Sequence, residues 1–317
     1  MRMRLVVVAV VLLALAAGMQ LRTTPPAQAA QEKHPEITSS LAAINLYRSW
    51  LGLAPMEIDP ALQRAAEAHV NYYRLNFGDP NLAGMGLHYE TEGKAGYTGY
   101  SFQDRAEAAG YDGWTNENAG LSGSMFGSTD WFMDTVGHRL TLLDPRYVDV
   151  GMAAIADGKV KFEIIDFGMP QWVEETTPEW VVWPPNGATG FGTGFWGEAP
   201  NPFPGASFPV GNPITMKYYG PGDMTFSKAT LSTGGREIAS FAEIGTGFLG
   251  SDTVIIAGSY ELEQGTTYTA HVEGTANGQP YTRTWSFTTT NGNDMLALNG
   301  VSAPPMERGR LTMMVRG

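Results

Sequence analysis

The stretch YVDVGMAAIADGKVKFEIIDF, residues 147–167, decides the fold class. Two β-rich runs, Tyr147 to Ala156 and Lys159 to Phe167, are joined by Asp157-Gly158, a dipeptide that favours a type I′ hairpin. Upstream of it, apolar residues recur at helical spacing instead. Leu41, Ile44, Tyr47 and Leu51, with Arg48 among them, share a face of a helix expected to open around Thr38 to Ser40 and to stop at Gly52. Asp59 as N-cap and Pro60 at the first helical position begin a second helix, with Leu62, Ala65, Ala66, His69 and Tyr73 on one face. Ser101 and Asp104 outline a capping box for a short helix ending at Gly110, and a further helix is expected from about Ser128 to Val136. Helices followed by an antiparallel hairpin make this half α+β, a sheet covered by helices.

Downstream, residues 173–212 shift to Pro, Gly and Trp and read as a linker or an irregular first strand. Residues 213–290 read as a small β-sandwich. Its clearest strands are Ile214–Tyr219, Thr253–Ala257, Thr267–Glu273 and Tyr281–Thr289, with Asn277-Gly278 turning between the last two. Residues 291–317 are Met-rich and without periodicity, unassigned and open to disorder. At the other end, Arg2 and Arg4 precede the apolar run Leu5–Ala17 and the small-residue site Ala27-Gln28-Ala29. Thirteen apolar residues are too few for a membrane span, which needs about 20. Residues 1–29 are therefore expected to be a signal peptide, cut after Ala29, with an uncleaved anchor as the alternative. The expected location is secreted, extracellular or at the cell surface, with no stable membrane insertion after cleavage.

The chain has 317 residues, length for roughly two domains. Twenty Lys and Arg against 32 Asp and Glu leave a net charge of −12, which excludes a nucleic-acid partner. The absence of cysteine excludes a disulfide scaffold, a thiol nucleophile and thiolate zinc ligation.

Histidine is scarce, so the chemistry candidates are few. Of the five, His34 lies in the leader region expected for the mature chain, His69 on an apolar helix face as a core residue, and His271 within a sandwich strand. His88, after the glycine-rich Gly84-Met85-Gly86-Leu87, and His138, in Gly137-His138-Arg139 just past an apolar helix, both flank Glu117-Asn118, read as a loop after Gly110-Tyr111. Imidazole and carboxylate together suit a divalent metal on neutral His nitrogens, or acid–base chemistry with Glu117 positioning a His or a water. There is no H-E-x-x-H and no G-x-S-x-G to direct the choice.

Asn45-x-Tyr47-Arg48-x-x-x-Gly52-Leu53, Ala66-x-x-His69, His88, Asp104-Arg105, Gly110-Tyr111, Glu117-Asn118, Trp131 and Gly137-His138-Arg139 together resemble the CAP superfamily. That superfamily comprises the cysteine-rich secretory proteins, antigen 5 and the plant pathogenesis-related proteins; the resemblance is to its bacterial, cysteine-free branch. It covers about residues 38–170, within a domain placed at 36–172. It implies an α-β-α sandwich with a cleft lined by two His and two acids, carried over here as His88, Glu117, His138 and Asp134, with Asp130 competing for the last place. It also implies zinc on His88 and His138 in some members. The second half, through Leu262–Thr269 and Thr284–Thr289, resembles bacterial Ig-like surface modules, which would follow the first domain as a spacer or adhesion unit.

The less eventful readings are a Glu117/His88/His138 set that staples loops, structural roles for Arg105 and Arg139, core packing for Tyr97, Tyr100, Tyr111 and Trp131, and a joint between halves covered by Trp172, Trp180, Trp183 and Trp196. Three functions stand beside each other. The first is a secreted protein whose cleft binds a small-molecule, lipid or cell-wall ligand, with or without zinc. The second is a hydrolase in which zinc or a His–Glu117 pair activates water. The third is a cell-surface adhesion or structural protein. A binding role is expected before a catalytic one.

Overall fold

A computed structural model describes residues 35–173, 176, 179–292 and 295–302. The expected signal peptide and the last part of the tail lie outside the described residues. The first half contains α1 (Pro35–Trp50), β1 (Glu57–Ile58), α2 (Pro60–Leu75), a 3-10 turn (Gly84–His88), α3 (Phe102–Ala108), β2 (Trp114–Gly120), α4 (Met125–Asp134), α5 (Val136–Leu142), β3 (Asp149–Asp157) and β4 (Val160–Met169). The strands form one sheet in the order β1-β3-β4-β2, so β2 is an edge.

Alternation along β3 and β4 produces the two covered faces. Ala153, Phe162 and Ile164 point with Ala119 toward Ala66, Val70 and Tyr73 of α2. Val150, Met152, Ile165, Phe167 and Met169 point the other way, into a core shared with Ile37, Leu41, Ile44 and Tyr47 of α1 and Phe132 and Met133 of α4. This is the expected α-β-α arrangement. Buried Arg48 ties α1 to the layer beneath it, donating to Ala54 O, Leu142 O, Asp144 O and Tyr147 O at 2.8–2.9 Å.

Several local expectations are corrected. The first helix opens at Pro35, earlier than expected. The predicted 128–136 helix is two, α4 and α5, broken at Thr135, whose extended backbone (φ −106°, ψ 148°) ends one and starts the other. His138 is therefore in the first turn of a helix. Glu117-Asn118 is not in a loop: it lies on β2, paired with Asp166 and Ile165 of β4. Polar residues disguised this strand, because it is an edge whose groups meet helix ends and loops rather than a continuous core. At the β3–β4 turn only Gly158 takes positive φ (61°), with Lys159 following it, the pattern of a II′ turn rather than I′. Asn277-Gly278, at φ 49° and 69°, is the I′ turn expected.

The second half is built on two four-stranded sheets. One, in the order β10-β9-β13-β14, uses β9 (Met224–Thr233), β10 (Arg236–Glu237), β13 (Thr267–Ala276) and β14 (Gln279–Thr288). The other, β11-β12-β8-β5, uses β5 (Trp180–Trp183), β8 (Ile214–Tyr218), β11 (Ser240–Ile244) and β12 (Thr253–Gly258). Strand β5 lies inside the stretch read as a linker, which is therefore part of the fold, and β6 (Gly194–Phe195) pairs there with β7 (Val210–Gly211). Residues 295–302, placed in the unassigned tail, hold a short hairpin of β15 (Ala297–Leu298) and β16 (Val301–Ser302).

β12 is buried on both faces, as its unbroken apolar run requires. Val254 and Ile256 meet Leu231, Val272 and Phe287 of the facing sheet. Ile255 and Ala257 meet Phe195, Phe203, Val210 and Val136 of α5. The halves are thus joined through α5. Trp183 adds to the joint, buried against Tyr47 and Trp50; Trp172 and Trp196 are exposed, with Trp172 against Trp114 and Arg146, and Trp180 packs on Tyr218 and Tyr281 within the second half.

Candidate functional site

His69 is a core residue, as read from its helix face, and it positions the next histidine. Its Nε2 is 2.8 Å from Leu87 O and its Nδ1 2.9 Å from Glu90 Oε1. Glu90 also accepts from Thr98 N at 2.6 Å. The loop before and after His88 is thereby tied to α2. Gly86 lies so close to Asn81 O that a Cβ there would collide with that backbone oxygen. The glycine-rich sequence is what lets this loop close.

His88 Nδ1 lies 2.7 Å from Glu117 Oε1. The other oxygen of Glu117 accepts from Arg105 Nη2, and Arg105 Nη1 donates to His88 O at 3.1 Å. Arg105 comes from α3, which the Ser101–Asp104 capping box starts in the expected place. Burial by itself would raise the Glu117 carboxyl. The Arg105 guanidinium, with the His88 hydrogen bond, outweighs burial and brings it down to about 2. An ionised Glu117 can only accept, so neutral His88 carries its proton on Nδ1 and leaves Nε2 with a lone pair. Asp166 lies across from Glu117 on β4, also buried. Burial and then the Glu117 charge push its carboxyl well above the usual range, against the pull of Arg105.

His138 stands on the other side of the edge strand. Asn118, next to Glu117 and on the opposite face of β2, donates to His138 O at 3.0 Å. The ring stacks on Phe132 and contacts Trp131, with centroids 4.7 and 4.8 Å away. Its Nδ1 is 2.8 Å from Thr135 Oγ1. That hydroxyl also meets Trp131 O and Phe132 O at 3.3 and 3.2 Å. Given to either carbonyl, its one proton leaves the oxygen to accept from His138 Nδ1, with the Nε2 lone pair free; given to Nδ1, the tautomer is the reverse. Neither Nε2 has a hydrogen-bond partner among the described residues, and the side chains are 15% and 16% exposed.

The acid within ion-pair distance of His138 is Glu198, with Oε2 3.7 Å from Nδ1. Its Oε1 accepts from Val136 N at 2.8 Å, and both oxygens receive longer bonds from Gly137 N. Asp134, named as the second cleft acid, is exposed at the end of α4 and accepts from Asn212 Nδ2 at 3.3 Å; Asp130 is half-buried. Arg139 is buried and donates to Met133 O and Pro213 O at 2.7 and 2.9 Å, so its structural reading holds. Burial lowers its guanidinium to about 10, with Glu198 and Asp134 opposing. Tyr111 is buried and donates to Asp149, while Tyr97 and Tyr100 are exposed rather than core. His271, half-buried, bonds Thr284 and Glu273 at 2.8 and 2.6 Å on the sandwich surface.

Glu198 left no trace in the sequence, since it is sixty residues from the ring it faces and lies in a Pro- and Gly-rich stretch. Asp166 did leave one: it is an acid between Ile165 and Phe167 in a run otherwise fit for the core. For zinc, the donor chemistry fits in part. Each candidate His has its Nδ1 tied back to an oxygen, the orientation that metal ligands require. Among the described residues, however, no group of three or more His, Asp or Glu is placed to hold a metal. A metal here would rest on the two Nε2 atoms and on oxygens supplied by solvent or ligand.

Residues 41–168 match the family described as CAP: Cysteine-rich secretory protein family, in agreement with the resemblance of the first half. Among solved structures, an outer surface protein from Borrelia burgdorferi matches at 15% identity and a TM-score of 0.35, over 44% of this chain and 96% of that one. No curated protein matches.

Proposed function

On the premise of a CAP-family segment at residues 41–168, we propose that this chain is an exported binding protein. Its ligand enters beside the edge strand β2, where the loop of His88 and the helix of His138 meet it. The observation that carries the reading is the pair of imidazoles flanking that edge, each with Nδ1 engaged and Nε2 without a partner among the described residues. Such a pair suits a small ligand that offers hydrogen-bond donors, or a divalent cation completed by solvent oxygens. Cell-envelope fragments and lipids with polar heads fall in the first class. The acidic chain favours cationic or neutral ligands over anionic ones. The C-terminal half is an Ig-like module in this reading, and it contributes Glu198 to the cleft instead of acting as a detached spacer.

The test uses zinc as the first probe and soluble cell-wall fragments as the second, each titrated into the full mature chain. Binding is expected to be lost in His88→Ala and in His138→Ala, with melting temperatures within a few degrees of the parent. Binding that survives both substitutions sinks the cleft. Export is checked by the mass of the protein recovered outside the cell, expected to begin at Ala30. No helix among the described residues is long and apolar enough to cross a membrane.

A hydrolase is the second reading, favoured by one observation. An ionised Glu117 behind His88 is the arrangement of a general base and its orienting acid. Turnover of peptide, ester or glycan substrates that is unchanged in Glu117→Gln would end it.

A further inference from the structure

Asp166 is 1% exposed, and neither of its carboxyl oxygens has a hydrogen-bond partner among the described residues. Alternation along β4 turns it to the α2 face, and the antiparallel register sets it opposite Glu117 on β2. Side chains so placed have Cβ atoms about 4.5–5.5 Å apart. On its other flank the register partner is Gly151 of β3, which has no side chain to offer a donor. The charged groups around this point are few. Glu117 holds the one guanidinium, that of Arg105 from α3. His88 is bonded to Glu117, and His69 of α2 is bonded to Glu90. No cation is left for Asp166.

Two carboxylates buried side by side cannot both ionise against one arginine. Glu117 holds the Arg105 guanidinium, so it takes the charge, and Asp166, buried without a cation, keeps its proton. Glu117 accepts one bond at each oxygen, and each oxygen has a further lone pair. We propose that Asp166 is held as a neutral carboxylic acid whose O–H donates to Glu117, making it a positioning residue for the carboxylate on which His88 depends. The buried charge is then balanced, Arg105 against Glu117, and one proton is stored beneath the cleft.

The proposal rests on the cleft reading for its bearing on ligand binding. Its readouts come from the free protein, so a cleft that binds nothing would leave it standing, and its own failure would leave the cleft untouched. Infrared spectra of protein with isotope-labelled aspartate carboxyls should show a buried protonated-carboxyl stretch at neutral pH. Asp166→Asn should abolish it. Nitrogen NMR of the His88 ring should show the Nδ1–H form in the parent. That form should persist in Asp166→Asn, whose amide donates in place of the hydroxyl, and be lost in Asp166→Leu. Absence of the stretch in the parent, or an unchanged His88 ring in Asp166→Leu, overturns the proposal. If Asp166→Leu does not fold, Glu117→Gln decides: with Arg105 freed, Asp166 should ionise and the stretch vanish, and its persistence overturns the pairing.

Discussion

Arg105→Met strips the buried Glu117 carboxylate of its cation while keeping a side chain of similar reach. Two routes to the cost agree. The Glu117 carboxyl lies at about 2 against an ordinary 4.5. At about 1.4 kcal/mol per unit, the folded state gains about 3.5 kcal/mol from its ionised form at neutral pH. Independently, removing one partner of a buried ion pair costs about 3–5 kcal/mol. The lost bond to His88 O adds about 1 kcal/mol. A total of about 4–5 kcal/mol should lower the melting temperature by roughly 6–8 °C in a chain of 317 residues, at about 2.1 cal/mol/K of unfolding entropy per residue. The pH dependence has a fixed sign. A carboxyl depressed in the fold stabilises above its ordinary value, and that stabilisation is lost as pH falls from about 4.5 toward about 2. The gap between parent and variant should therefore narrow in acid. The assay is thermal melting of both proteins, followed by circular dichroism, at neutral pH and at about pH 3. A neutral-pH gap below about 1 kcal/mol, or one of equal size in acid, would refute the assignment of Arg105 as the neutralising group. The double variant Arg105→Met with Glu117→Gln should recover most of the loss, because it leaves no unpaired charge, and strictly additive losses would count against the pair equally.

The opposite slope belongs to Asp166, whose raised carboxyl stabilises the fold fully below the ordinary aspartate value and progressively less as pH rises above it; Asp166→Asn should remove that decline, seen as a flatter stability curve from acid to neutral pH. Glu198→Ala deletes the bonds to Val136 N and Gly137 N and should cost about 1–2 kcal/mol, with faster amide exchange at those two residues; unaltered exchange would show that Glu198 does not cap α5. His69→Leu leaves Glu90 and Leu87 O without their buried partner, and a loss of about 3 kcal/mol or more is expected in denaturant titration, against less than 1 kcal/mol if the ring merely fills space.

Much of the first half was legible because its signals are local. Asp59-Pro60 marks the start of α2, Ser101 and Asp104 mark α3, and the 147–167 stretch marks the hairpin. Each of these is a backbone requirement met by residues within one turn of each other. His88 and Glu117 were also recoverable, since order and spacing along the chain named both, and the structure brings them into contact. Strand β2 was not, because Trp-Thr-Asn-Glu-Asn at an edge lacks the apolar alternation by which strands are recognised. The break at Thr135 was hidden too. Thr135 as an N-cap type and Gly137 are weak local signals, and beyond them Val136 packs with Phe195 and Phe203 of the second half, a contact the local sequence does not show.

By itself the sequence determined an α+β first half and a β-rich second half, which depend on side chains within a few residues of one another; the α-β-α layering and the choice of His88 and His138 as cleft residues came from the family resemblance. The tertiary structure alone decided that Glu198 faces His138, that Asp166 stands beside Glu117, and which carboxyl carries the charge. Glu198 reaches His138 because the two halves share a core through α5, and Asp166 meets Glu117 because strand register sets them opposite. The charge each carboxyl carries depends on the cation it can reach and the water it has lost, and both are properties of three-dimensional neighbourhood.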